Sequence, residues 1–124
     1  MMPTTTVLTC LAIGILSGVV AALCGVGGGV VMVPAFVTFL KLPHKTAVAT
    51  SLAIIIPTAL MATTQNARHG YVEWKVAIIT AVSASIFAYF GAGWLKTMSN
   101  ETLTRIFGVI LVVFGLRMLL QGKA

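Results

Sequence analysis

Four glycines fall within five consecutive positions, Gly25-Val26-Gly27-Gly28-Gly29, and the run leads into Val30-Val31-Met32-Val33-Pro34. Each glycine costs a helix about 1 kcal/mol relative to alanine, so a helix should stop here and another start after it. The first N–H groups of a helix lack intrahelical partners and carry partial positive charge. A helix starting at the glycine run could therefore hold a small anion without a buried Lys or Arg. A close helix crossing that simply requires small residues is the structural alternative. The run is not a nucleotide fingerprint, because no strand precedes it and no Lys-Ser/Thr follows.

A second polar group comprises Thr46, Thr50, Ser51, Thr58, Thr63, Thr64, Gln65 and Asn66, with Pro57 among them. Thr46 and Thr50 are four apart and share a helix face, while Pro57 removes one backbone donor and frees a carbonyl. A kinked helix bearing hydroxyls suits a polar path, so Pro34 and Pro57 are expected to break or bend their helices. A single Ser or Thr can instead bond to its own helix backbone, which makes the adjacent pair Thr50-Ser51 the better candidate for binding.

Other chemistry has little support. Glu73 and Glu101 are the two acidic residues and both are read as loop residues, which argues against an intramembrane carboxylate relay. His44 and His69 flank the Thr-rich segment at opposite ends, so they cannot form one metal site, and both are read as solvated loop residues. Cys10 and Cys24 stand about 21 Å apart along one continuous helix, which excludes a disulfide between them. They belong to no Cys/His cluster, and no metal or other cofactor is expected. Signatures of hydrolases are missing, and Ser51 has no base nearby in sequence, so no enzyme activity is expected.

These residues must be positioned by membrane helices. Of 124 residues, 59% are hydrophobic and 8% charged, far below the quarter expected of a soluble domain. The net charge of +6 is spread over short clusters at segment ends, not gathered on a face that could bind nucleic acid. Anchoring at lipid headgroup level explains it better, and the bilayer is the first partner implied. Five apolar segments are legible: Val7–Leu23, Val30–Leu40, Ala47–Thr64, Val76–Leu95 and Leu103–Leu120. Four reach crossing length. The second, at 11 residues, would rise only about 16 Å and is a half-helix or one arm of a re-entrant hairpin. The first lacks Lys or Arg before it and is read as a retained helix, not a cleavable signal.

The sequence thus predicts one all-α, polytopic membrane domain over residues 1–124, with three to four crossings and a glycine-rich broken or re-entrant half-helix. A hairpin over Val7–Leu40 followed by three full crossings competes with an even number of crossings. Lys and Arg divide four against four between the two faces, so charge bias does not set orientation and insertion both ways is compatible with the chain. The small-residue rows Gly14/Gly18/Ala22 and Ala84/Ala88/Ala92, and the heptad pair Gly108/Gly115, are expected to pack helices. Trp74 and Trp94 are expected to anchor the two ends of the fourth segment.

The run from Gly25 to Pro34, then Ala49-Thr50-Ser51-Leu52, then His69-Gly70-Tyr71-Val72-Glu73-Trp74, resembles the TauE/SafE family of sulfite exporters and toluene sulfonate uptake permeases. The resemblance covers nearly the whole chain and implies an inner-membrane transporter for sulfite, organosulfonates or related anions. It points to Gly25, Gly27, Gly28 and Gly29, with Pro34, as the broken-helix element, and to Thr50 and Ser51 as polar lining. His69 and Gly70 match a loop motif of gating or structural use. Family members usually hold two related halves, and this chain matches one, so the resemblance implies one repeat of a two-repeat transporter, working as a homodimer, antiparallel if each half crosses an odd number of times. A non-transporting structural subunit paired with a separate partner half is the competing expectation.

Overall fold

The computed structural model describes residues 2–122, in five helices: α1 (Thr4–Cys24), α2 (Gly29–Phe39), α3 (His44–Arg68), α4 (Trp74–Leu95) and α5 (Asn100–Gln121). Among the described residues there is no strand. Four helices are long and apolar enough to cross a membrane, and α2, with 11 residues, is a half-helix. The polytopic all-helical fold read from segment lengths is therefore the one present.

Glycine ends α1 and starts α2. Gly25 adopts φ 70° and donates its N–H to the Ala21 carbonyl at 2.9 Å, the left-handed cap that only glycine takes without penalty. Gly28, at φ 78°, caps the N-terminus of α2, and its carbonyl accepts from the N–H groups of Val31 and Met32 at 3.0 and 2.9 Å. The chain reverses between these caps. Gly28 then lies against Ser17, well before the end of α1, while Phe39 to Leu42 share a cavity wall with Met2 and Thr6. Hence α2 runs back along α1 toward the N-terminal end of the bundle.

That hairpin decides the course of the rest. Helix α3 starts where α2 ends, packs against α1 and α2, and carries its far end past the glycine loop. Lys96, just after α4, has its carbonyl within 3.4 Å of Lys45 Nζ, and Asn100 Oδ1 accepts from the Lys45 N–H at 3.1 Å. The α4–α5 turn has therefore returned to the end where α3 began. A hairpin followed by three full-length helices leaves the two ends of the described chain at opposite ends of the bundle. Lys41, Lys45, Lys96 and Arg105 lie toward one end and Arg68, Lys75 and Arg117 toward the other, a balance of four against three. Lys123 lies outside the described residues.

The core is small and belongs to α1–α3. Ile13, Met32, Val33, Phe36 and Ala47 are buried together, with Phe107 of α5 packed at the edge. Between helices surrounded by lipid, close van der Waals packing holds such a cluster, since lipid is as apolar as the side chains themselves. No residue of α4 or α5 is buried. The expected small-residue packing rows are not used within this chain: a Cβ added at Gly14, Gly18, Gly108 or Gly115 would meet nothing within 4 Å. Gly14 borders a cavity described below, and the other three face open space.

Three further expectations need correction. Pro34 and Pro57 lie inside α2 and α3, and both helices continue through them. Each proline costs one backbone bond, and the turns on either side keep theirs. His44 is not a solvated loop residue. It is the first residue of α3, buried, with its ring edge-on to Phe107 at 5.8 Å. Glu101 is likewise helical, in the first turn of α5, where it pairs with Arg105 at 2.7 Å one turn on and faces the positive end of the helix dipole. Trp74 and Trp94 do stand near the two ends of α4.

Candidate functional site

The glycine loop faces a cavity of about 390 Å³. Its α3 wall is formed by Ile55, Thr58, Ala59, Ala62, Thr63 and Asn66. These positions recur at helical spacing, so they form one face of α3 turned toward the loop. Gly25 and Gly27, with Ala21 and Ala22 of α1, complete the wall opposite. The lining carries no charged residue, and its polar groups are hydroxyls, an amide and backbone. The bonds of α2 begin at the N–H groups of Val31 and Met32, so those of Gly29 and Val30 precede the first helical turn. A group of donors without a formal charge can hold an anion and release it, because no buried ion pair has to be broken.

Gly28, next to Gly27 of this cavity, packs against α1 and the Met32 side chain. A Cβ built on it would come within 2.9 Å of the Ser17 carbonyl oxygen and 2.8 Å of Met32 Cε, at a φ of 78°. Only glycine fits both the conformation and the space. Gly27, at φ 70°, abuts the Ile55 side chain, where a Cβ would lie 3.3 Å from Cγ2. Ser17 is 1% exposed, and its hydroxyl donates back to the Ile13 carbonyl at 2.6 Å, so the contact with Gly28 leaves no buried polar atom unpaired. Gly28 therefore brings α2 onto the backbone of α1, and Gly27 seats the Ile55 side chain of α3 beside it.

Thr50 and Ser51 lie elsewhere on α3. Ser51 is 3% exposed and donates to the Val48 carbonyl at 2.8 Å, the local bonding open to any helical serine. Thr50, half-buried, lines a second cavity on the other side of the Ser17–Gly28 contact. The structure thus brings Gly25 and Gly27 into one cavity with Thr58, Thr63 and Asn66, and leaves Gly28, Gly29 and Thr50-Ser51 outside its lining. The three partners belonged to the polar group visible in the sequence. What selects them is the register of α2 on α3, with Ile55 opposite Gly27. The His69-Gly70-Tyr71 motif forms the turn that ends α3: Gly70, at φ 72°, donates to Ala67, and Tyr71 donates to the Asn66 carbonyl at 3.1 Å. It braces the residue that lines the outer edge of the glycine cavity. Among the described residues no cluster of His, Cys, Asp or Glu could hold a metal, and Cys10 and Cys24 are free thiols.

The profile of the family described as sulfite exporter TauE/SafE matches residues 10–124, which carry both the glycine loop and its α3 wall. The chain belongs to the sulfite exporter TauE/SafE family. Within that family, it is 30% identical over 112 residues to the probable membrane transporter protein YunE of Bacillus subtilis, covering 90% of this chain and 41% of that protein. A probable membrane transporter protein of Haemophilus influenzae is 29% identical over 126 residues, 96% of this chain and 48% of the relative. One from Methanocaldococcus jannaschii is 33% identical over 116 residues, 86% and 43% respectively. The TauE/SafE chain described here spans less than half the length of these curated relatives. No solved structure matches it.

Proposed function

We propose that this chain is half of a secondary transporter of the inner membrane for small sulfur-containing anions, such as sulfite or organosulfonates, and that two copies form the working unit. The observation that carries the reading is the glycine loop. It opens a half-helix inside a bundle of crossing helices and faces a polar stripe of α3 across an uncharged cavity of about 390 Å³. Discontinuous helices whose N-termini meet anionic groups near the midplane are a recurring device of secondary transporters. Gly25 and Gly27 supply backbone and space, Gly28 and Gly29 shape the loop behind them, and Thr63 and Asn66 supply side-chain donors; the Thr58 hydroxyl donates to the Ile54 carbonyl at 2.8 Å and offers the cavity only its oxygen. Thr50 and Ser51 lie outside this cavity, on the other side of the Ser17–Gly28 contact.

Completion by a second half is supported by what this half leaves unpaired. A Cβ at Gly18, Gly108 or Gly115 would meet nothing within 4 Å, and no residue of α4 or α5 is itself buried. A hairpin plus three crossings makes two copies antiparallel if they are to face each other as inverted repeats, and the near-equal division of Lys and Arg favours no single orientation. Rocking of one half against the other would then alternate access to the anion.

The deciding experiment is uptake into proteoliposomes holding the purified chain alone, with sulfite, an alkyl sulfonate and sulfate compared. Uptake of sulfite or the sulfonate above protein-free vesicles supports the reading. Absence of uptake of all three, from protein shown to be folded and dimeric, favours the structural subunit that needs a separate partner half.

A further inference from the structure

We infer that the second cavity, at the end of the bundle remote from the glycine loop, is a separate binding site for a small amphiphilic anion: Lys41 holds the charged head, and Met32, Phe36 and Ile54 hold the apolar body. The cavity measures about 510 Å³, within the range of small-molecule sites. Residues Thr6, Cys10 and Ile13 line it from one face of α1, at helical spacing, and Thr50 and Ile54 from α3. The Ser17–Gly28 contact separates it from the glycine cavity, so a ligand here does not occupy the transport site proposed above.

Charge selects the ligand's head. Lys41 is the one charged side chain among the described lining residues, set against walls that are mostly apolar. A small inorganic anion would lose its hydration there and gain one partner. An anion carrying an apolar group fills the walls as well as meeting the lysine. The backbone at Lys41 gives an independent sign. It adopts φ 54°, the one positive φ outside glycine among the described residues. The turn around it is fixed by the N–H groups of Leu40 and Leu42, both on the Phe36 carbonyl at 3.2 Å. Glycine is the residue this conformation favours, so lysine is held here against backbone preference, the pattern expected where a side chain has a task. A free amphiphilic anion and an anionic lipid share this chemistry, and the nanodisc comparison below separates them.

Cys10 reports occupancy directly, with Cys24, which lies outside this cavity, as an internal reference. The full chain in phosphatidylcholine nanodiscs is alkylated with N-ethylmaleimide and each thiol is followed by mass spectrometry. With hexanesulfonate at about 10 mM, Cys10 labelling should slow about tenfold, as a Kd of about 1 mM gives, while Cys24 is unaffected. Lys41→Gly keeps the turn and removes the charge, so the same concentration should slow Cys10 by less than about twofold, and Lys41→Arg should restore protection. Thermal unfolding gives the same comparison without a thiol reagent: hexanesulfonate should raise the midpoint of the native chain and not that of Lys41→Gly. Equal protection by hexyltrimethylammonium, equal protection of Lys41→Gly, or no effect in either measurement would overturn the site. Protection by phosphatidylglycerol nanodiscs with no added solute would overturn the free anion in favour of lipid.

Discussion

Gly28 sits against Ser17 so closely that a β-carbon on the glycine would stand 2.9 Å from the serine's carbonyl oxygen. The contact joins the half-helix α2 to the full-length α1 and forms the partition between the two cavities of the bundle.

Its energetic signature should be specific to position. Gly28→Ala must adopt a left-handed conformation and press on a backbone oxygen that has no rotamer to escape into, for a loss of about 3 kcal/mol. Gly25→Ala has a similar φ of 70° but opens into free space, so it should lose only about 1 kcal/mol. Denaturant unfolding in detergent, followed by far-UV circular dichroism, gives the difference. Equal losses would mean that the Ser17 contact does not constrain the loop.

The second pair of helices is tied to the first at one end. Asn100 Oδ1 accepts from the Lys45 N–H at 3.1 Å, satisfying one of the donors left free at the start of α3. Asn100→Ala should cost about 1 kcal/mol and speed hydrogen exchange of the Lys45 amide, while amides of the α1–α2 hairpin keep their protection. Unchanged exchange at Lys45 would show that the tie contributes nothing.

Topology and dimerisation make a joint prediction. Reporters fused at the N- and C-terminal ends should lie on opposite sides of the membrane within one molecule, because the hairpin is followed by three crossings. Across the population, each reporter should be found on both sides if the working dimer is antiparallel. One orientation in all molecules would rule the antiparallel homodimer out.

Much of this was legible in the residues. Segment lengths separated the half-helix from its neighbours, and four glycines in five positions located the reversal, because both depend on local backbone cost. Side-chain pairing across helices was less legible. Thr50-Ser51 drew attention as an adjacent pair, yet Ser51 turns to Val48 and the glycine loop meets Thr58, Thr63 and Asn66. That pairing follows from Ile55 seating on Gly27, a contact between residues 28 positions apart whose register no local pattern specifies. His44 was misread for a similar reason: a histidine next to Pro43 and Lys45 looks solvated until Phe107, from the far end of the sequence, covers it. Pro34 and Pro57 interrupt neither helix, because each removes a single backbone bond from a ladder whose other bonds remain.

The central claim is that the glycine-loop cavity carries the anion. Thr63→Val with Asn66→Leu removes two polar groups from its wall at exposed positions, and so leaves the fold in place. Sulfite uptake by proteoliposomes of the purified native chain, set beside this double variant, is the direct measurement. The account predicts uptake by the native chain and a fall of roughly tenfold or more in the variant, as the loss of two hydrogen bonds to a bound anion implies. Native uptake matched by the variant, or no uptake by the native chain above protein-free vesicles, would contradict it.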